Sequence, residues 1–496
     1  MAISLETKTA YAVNTINFTA KNAVECKLNL TEEEAGAIIC SNARAYIESA
    51  ECVENEVRYT GRVIFSLITG ASGLKKSEAG VEFSYKADVN GVSLGDAVSV
   101  RVAVENQKVT VINGIPTASA AVVVIGEVEK PCKFDYVKNV EGANCKKEEF
   151  LSANFVALEK KDFSLEEEFD TDIIIEDVIY HNQNVKILSA TCSIGAIILS
   201  GEVELNALIL KEDKTTFFES RVIPFRFEHE VQKCMPDSVC VCNACLKDVN
   251  LKIVVDKAKG KSTVFMSANV NLCSALYENE ILSKTVDAYS LTNHVTIEKQ
   301  SQKLVKKFGQ RQVEFKCNTF SVAKNDKNAL LVSPLFAKIE QIDVTCKKGE
   351  LNIQGVVNVS ALMQTEAGYS VESYVVPIER CEPTTSNAVV LSSACVSGLT
   401  VVEKDGAICF DFNISLFIEE KEEVYSQFIK SLEEGEAKKV NTSAISVCIP
   451  KPNDTLWELS KSLGVLEEDL LKLNPELKFP LTGEERVVVY RELKTN

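Results

Sequence analysis

The sequence predicts a mainly β protein: three repeated antiparallel, sandwich-like units followed by a small βααβ domain. Three observations carry that expectation. Residues 346–363, CKKGELNIQGVVNVSALM, have near copies at 52–69 and 192–209, and with Gly61, Gly201 and Gly355 in register, Cys52, Cys192 and Cys346 each fall nine positions earlier. Four apolar columns align with them: Val57, Ile197 and Leu351; Tyr59, Leu199 and Ile353; Val63, Val203 and Val357; Phe65, Leu205 and Val359. Each column lies an even number of residues from the glycine, the period of a strand with one buried face. Residues 444–491 then abandon this alternation for two short helical patterns between two apolar runs.

A glycine midway along such a strand allows a bulge, a tight bend or close approach of another backbone, so any larger residue there is expected to clash. The three cysteines each lie two residues after Ala50, Ala190 or Val344 and share a face with them, which favours burial as small hydrophobes. The alternative is a thiol held for cross-linking between neighbouring molecules.

At 496 residues the chain exceeds one core and suggests three or four domains. Its hydrophobic share of 46% and charged share of 25% are those of a globular chain, not a disordered one. A net charge of -17 argues against nucleic-acid binding, which needs clustered Lys and Arg to neutralise phosphates. The same charge disfavours anionic membranes, and no apolar run approaches a membrane span, so no membrane insertion is expected. The start MAISLETKTAYAVNTINF has no basic segment followed by an apolar one, so a cytoplasmic location is expected. Seventeen scattered cysteines lack the paired spacings of a secreted scaffold and read as reduced thiols.

In chain order, residues 1–23 form a thinly patterned N-terminal segment, and the first unit covers 24–130. It opens on the alternation Val24, Cys26, Leu28, Leu30. Thr31 with Glu34 could form a capping box for a short helix; Ala43, Ala45 and Ile47 return to strand spacing. Further strands follow the glycine hairpin, with turns at Asn90-Gly91 and Asn113-Gly114. Residues 131–162, rich in Lys, Glu and Asn, read as a junction before the second unit, 163–282. A second junction, 283–311, contains Asp287-Ala288-Tyr289-Ser290 and the basic, helix-like QSQKLVKKFGQR. The third unit covers 312–424, and 425–443 reads as a charged linker, a solvated helix that leaves the last domain mobile. Glu78, Glu219 and Glu372 read as matched carboxylates of the three units, as do Val81, Val222 and Val375 as matched apolar positions; the carboxylates suggest a shared surface feature. Exposed strand edges in such units invite self-association.

In the last domain, Ile445, Val447 and Ile449 mark a strand. Asp454 caps a helix, TLWELSKSLG, ending at Gly464; LEEDLLKLN forms a second helix before Pro475, and Arg486 to Tyr490 the return strand. Trp457, the sole tryptophan, falls on helical spacing with Leu456, Leu459 and Leu463 and is expected in the domain core.

This segment resembles a LysM domain through NDTLWELSKSLGV, DLLKLNPEL and TGEERVVVY, with Asn453 where that family usually has glycine. The resemblance implies a shallow groove between two loops, formed here by Asn453, Asp454, Thr455 and Leu456 and by Asn474, Pro475, Glu476 and Leu477. The three glycine-centred units resemble the SPOCS domain of Clostridia-type sporulation proteins, through the hairpins at Gly61, Gly201 and Gly355 and the Asp287-Ala288-Tyr289-Ser290 run. Together they resemble the SipL-like family of spore coat morphogenesis proteins. That resemblance implies a mother-cell protein at the forespore surface or in the spore coat, whose LysM domain docks on the coat-basement ATPase, stage IV sporulation protein A, among other coat proteins. The alternative is a wall-associated protein that uses the LysM groove to hold N-acetylglucosamine polymers of peptidoglycan.

Catalytic chemistry is not expected. Cys234, Cys240, Cys242 and Cys245, with His229 nearby, are the strongest metal candidates, but C-x-C-x-x-C does not supply two paired knuckles and VCVCNAC reads as an alternating strand, so no metal is assigned. His181, His229 and His294 are the only histidines and read as surface-loop residues. No phosphate-cradling glycine loop is present, no cofactor is implied, and no nucleophile has a base and an orienting group beside it.

Overall fold

The computed structural model describes residues 3–70, 73–112, 115–438 and 444–490. The expected Asn113-Gly114 turn, the end of the linker at 439–443, and Arg491 lie outside the described residues. The chain is mainly β and the same six-strand unit occurs three times. Unit one comprises β1 (Ser4–Lys27), the short helix α1 (Glu32–Gly36), β2 (Ile38–Val53), β3 (Glu56–Thr69), β4 (Lys75–Asp88), β5 (Ala97–Ile112) and β6 (Ile115–Glu141). Unit two comprises β7 (Asn144–Thr171), β8 (Ile175–Ser193), β9 (Ala196–Lys211), β10 (Thr216–Glu230), β11 (Val239–Asp256) and β12 (Lys261–Tyr289). Unit three comprises β13 (Asn293–Ala323), β14 (Leu330–Lys347), β15 (Glu350–Thr365), β16 (Gly368–Pro383), β17 (Ala388–Lys404) and β18 (Ala407–Ala437). The last domain holds β19 (Ile445–Cys448), α2 (Leu456–Leu463), α3 (Glu467–Leu473) and β20 (Val487–Tyr490).

Each unit folds as two three-stranded antiparallel sheets. In unit one their orders are β1-β6-β5 and β2-β3-β4, and units two and three repeat both. The four repeat columns occupy the central strands β3, β9 and β15, and every one of their twelve residues is at most 2% exposed. Alternation therefore does what period two predicts: one face of each central strand fills the core between the sheets. The capping box expected for α1 is present, Thr31 Oγ1 accepting from Glu34 N at 3.2 Å and the Glu34 carboxylate from Thr31 N at 3.0 Å.

The repeat glycine sits at the same place in each central strand, flanked by Ile47 and Phe83, by Ile187 and Phe225, or by Ile342 and Ile378. A Cβ on Gly61 would lie 2.3 Å from the Tyr46 carbonyl oxygen, one on Gly201 2.5 Å from that of Lys186, and one on Gly355 2.5 Å from that of Gln341. The register of each preceding strand shifts close by, after Ile47, Ile187 or Ile339. A bulge there swings a carbonyl over the glycine, and in units one and two a phenylalanine ring covers its other side.

The expected junctions are strands. β6 runs to Glu141 and β7 starts at Asn144, so 131–162 is almost wholly sheet; likewise 283–311, including QSQKLVKKFGQR, lies mostly in β12 and β13, and β18 continues through Ala437. The N-terminal segment likewise belongs to β1. In each unit the start of the first strand pairs with the end of the last, forming a two-stranded ribbon that projects beyond the sandwich. A ribbon buries only one stripe and keeps charged residues elsewhere, which is why its composition resembles a linker.

The three ribbons pack on one another. Ala10, Ala12, Phe134 and Tyr136 of unit one meet Leu282 of unit two and Leu304 and Phe428 of unit three. The Phe428 ring lies 4.9 Å from Phe134 and 5.6 Å from both Tyr136 and Phe150, all edge-on. A second three-way junction joins Cys40 and Ile68, Ile179, Tyr180 and Leu208, and Leu335, Phe336 and Leu362. One chain thus builds a pseudo-threefold assembly in which all three copies contribute to both junctions.

Strand pairing also corrects the matched carboxylates. Glu219 and Glu372 pair with Ala207 and Ala361, six residues after their glycines, whereas Glu78 pairs with Ser66, five after Gly61. Val81 is out of step with Val222 and Val375 in the same way, pairing with Val63 where they pair with Glu204 and Asn358. One residue of slip moves a side chain to the other face. Glu372 is buried and accepts from the Asn325 backbone N–H at 3.1 Å, while Glu78 lies beside Lys76 at 3.1 Å, so no surface feature is shared by all three.

Candidate functional site

The last domain is built from the residues outward. β19 and β20 pair antiparallel, Ser446 opposite Val489 and Cys448 opposite Val487 on the inner face. Leu459 of α2, Leu470 of α3, Leu481, Val487 and Val489 form the core. α2 is capped by Thr455, not by the expected Asp454: Thr455 Oγ1 accepts from Glu458 N at 3.2 Å while the Glu458 carboxylate accepts from Thr455 N at 2.9 Å. Asp454 instead accepts from Lys451 N at 2.8 Å, holding the loop before the helix. Gly464 ends α2 in the left-handed conformation expected of it, at φ 65°.

The eight candidate groove residues divide. Asn453, Pro475 and Glu476 are exposed, and Thr455 is exposed but committed to its cap. Leu456 and Leu477 both pack on the domain core. Asn474 is buried and structural: its side-chain amide donates to the Leu470 and Val488 carbonyls at 2.8 and 2.7 Å, and its oxygen accepts from Val488 N at 2.7 Å. Asn453 has φ 67°, in the left-handed region that glycine adopts freely and asparagine tolerates.

The outer face of the small sheet differs in kind from these two loops. Ile445 and Val447 of β19, the adjoining Ile449 and the paired Tyr490 are 65%, 60%, 71% and 53% exposed. Four large apolar side chains side by side in solvent mark a contact surface, since isolated exposed ones are ordinary but contiguous ones are not.

Trp457 is not in the core of its own domain. It is 7% exposed because it packs on the end of unit two: its indole N–H donates to Asp287 Oδ2 at 2.8 Å, and its ring meets Tyr289 edge-on at 4.9 Å. Lys461, one turn on, donates to both Asp287 oxygens at 2.6 and 2.8 Å, and Tyr289 Oη donates to the Val465 carbonyl at 2.8 Å. Burial works against the Asp287 charge, but hydrogen bonds from Lys461 and Trp457 outweigh it and hold the carboxyl below its usual range. Lys438 also donates to the Ser290 carbonyl at 2.7 Å. The Asp287-Ala288-Tyr289-Ser290 run is therefore the seat of the last domain, which is docked where a mobile tail was expected. Sequence reasoning singled out both halves of this contact and lacked only the pairing between them.

Of the metal candidates, Cys234, Cys240 and Cys242 share one buried cluster, while Cys245 and His229 lie apart from it. Cys245 Sγ lies 3.8 Å from Asn271 Oδ1, apart from the Cys240 and Cys242 pair, and His229 packs edge-on to Phe163. Among the described residues no group of three or more His, Cys, Asp and Glu is arranged to hold a metal ion. Nor is any of the three histidines on a surface loop: His181 lies in β8, His229 in β10 and His294 in β13. Burial, then Lys76, brings His181 down to about 4, so it accepts from Lys76 Nζ at 2.8 Å as a neutral ring.

Where the units meet, charge is buried. Lys421 of β18 lies 3.4 Å from Glu129 and 4.0 Å from Glu127, both of β6, and 3.7 Å from Glu419. Tyr277 of β12 donates to Glu129 at 3.1 Å, so all three units contribute. Burial and the neighbouring Glu419 push Glu127 up to about 7.

Fold and site define a class: a threefold β-repeat scaffold bearing a small docked βααβ domain with an exposed apolar face. Comparison with protein-family models, with curated proteins and with solved structures finds no match. No helix among the described residues is long and apolar enough to cross a membrane.

Proposed function

We propose that the chain is a non-enzymatic assembly adaptor whose LysM-like domain recognises another protein. The observation that carries this reading is the exposed face of Ile445, Val447, Ile449 and Tyr490. Burying such a face against a protein contributes about 25 cal/mol per Å2 of apolar surface, a gain that hydrated sugars do not offer to the same extent. The units support it by holding the domain rigidly through Asp287 and Tyr289 while leaving that face outward. The sporulation resemblance names the partner: the coat-basement ATPase, with the adaptor at the forespore surface of the mother cell. The alternative reading, a peptidoglycan binder, rests on Asn453, Pro475 and Glu476 in the exposed loops.

Val447→Asp separates the two readings. The side chain points away from the domain core, so the fold should persist. Pull-down of the ATPase from sporulating cells is expected to fail with the variant, while retention on purified peptidoglycan is weak for both proteins. Tight peptidoglycan binding by both, with no ATPase captured by either, would refute the adaptor reading.

A further inference from the structure

Unit two gathers three further thiols, Cys234, Cys240 and Cys242, around its repeat cysteine, Cys192. Gly195 in the β8–β9 turn donates to the Cys234 carbonyl at 2.9 Å and accepts from Val231 N at 2.9 Å, which clamps the loop after β10 onto that turn. This places Cys234 beside Cys192 at the end of β8. Alternation along β11 puts Cys240 and Cys242 on one face, their sulfurs 3.1 Å apart. Cys192 packs against the core cluster that contains Cys234, Cys240 and Cys242, where β8 lies against β11. The four thiols therefore share one patch of the unit-two core. Cys192 alone is partly exposed; the other three are buried.

We propose that Cys192 and Cys240 are a thiol–disulfide exchange pair, an accessible attacking thiol and a buried resolving one, which react with a low-molecular-mass disulfide to link β8 to β11. The Cys192 thiolate attacks one sulfur of the small disulfide, forming a mixed disulfide and releasing one small thiolate. Cys240 then gives up its proton to solvent and attacks the Cys192 sulfur, breaking the mixed disulfide and releasing the second small thiolate. Two protein thiols are oxidised and one small disulfide is reduced to two thiols.

The surroundings suit these roles. Hydrogen bonds from Cys240, then Cys234, bring Cys192 down to about 7, so it is substantially thiolate near neutrality. Cys192, then Cys242 and burial, push Cys240 up and keep it protonated in the resting protein; the mixed disulfide removes the Cys192 part of that bias. The repeat mates behave otherwise: burial pushes Cys52 up to about 11, and Cys346, also pushed up by burial, donates to the Ser386 carbonyl at 2.8 Å. The pair spans the two sheets of unit two, so the bond would lock them together.

The test uses the reduced full-length protein and oxidised glutathione at neutral pH, with acid quenching, alkylation and peptide mass mapping. Expected is a Cys192–Cys240 link as the first product and a raised midpoint of thermal unfolding. Cys240→Ser should accumulate the glutathione adduct at Cys192, Cys192→Ser should give neither product, and Cys346→Ser should behave as the parent. Adducts spread first over the exposed Cys132 and Cys381, a different first link, or stoichiometric zinc in the purified protein would each overturn the proposal.

Discussion

Replacing Asp287 with alanine should release the last domain from the scaffold. The substitution removes one acceptor that serves both the Trp457 indole and the Lys461 ammonium. A hydrogen bond from the indole N–H to a carboxylate is worth about 1.5–3 kcal/mol. The ion pair adds only about 0.2–1 kcal/mol, because its side chains are 42% and 22% exposed and solvent screens them. Together they give roughly 2–4 kcal/mol, about a 30- to 900-fold shift toward the undocked state. The ring contact with Tyr289 and the Tyr289–Val465 hydrogen bond remain, so undocking should be partial at first and completed by Tyr289→Ala. Trp457 is the only tryptophan, so its emission and its quenching by acrylamide report this event alone. Asp287→Ala is expected to red-shift the emission and steepen quenching, with Asp287→Asn between variant and parent. The pH dependence has a definite sign. Asp287 is held below its ordinary 3.8, so docking is at full strength above that value and is lost as pH falls through the depressed one. Unchanged emission and quenching in the alanine variant would refute the docking argument.

Three further outcomes follow from the scaffold. Gly201→Ala should destabilise by at least the ~1–3 kcal/mol typical of overpacking, because the new methyl meets a backbone carbonyl as well as Phe225; Gly309→Ala, with open space around it, is the near-neutral control in urea unfolding. Phe428→Ala should cost about 3–5 kcal/mol, since it empties the centre of the ribbon junction, and limited proteolysis should then cut between units before it cuts within them. Glu127 is raised from its ordinary 4.5 to about 7, so its contribution is fully present below about 4.5 and lost as pH rises through about 7, an effect of up to roughly 3 kcal/mol. Glu127→Gln should flatten that pH dependence and be the more stable protein under mildly alkaline conditions, as read by urea midpoints.

What the sequence determined by itself is the local geometry of each unit. Period-two columns identified the three central strands and their buried face, because alternation is a property of a single strand and survives without knowledge of its partners. The glycines were legible for the same reason: a residue without a side chain at a fixed place in an alternating strand implies a close approach, even when the carbonyl that makes it is unidentified. Helix starts and stops in the last domain were legible to within a residue, Thr455 displacing Asp454 because both can cap and only the backbone path chooses between them.

Tertiary structure alone decided how the parts meet. The ribbons were mistaken for junctions because Lys, Glu and Asn dominate strands that bury one narrow stripe, and that stripe finds its partners only in the other two copies. Trp457 fitted a helix core by spacing, yet its ring packs on Tyr289 because the last domain sits on unit two, a choice made by the Asp287 carboxylate and not by helical period. The thiols at Cys192 and Cys240 are separated in sequence and come together only because β11 of one sheet packs against β8 of the other. Periodicity records which way a side chain points; it holds no information about which distant surface comes to meet it.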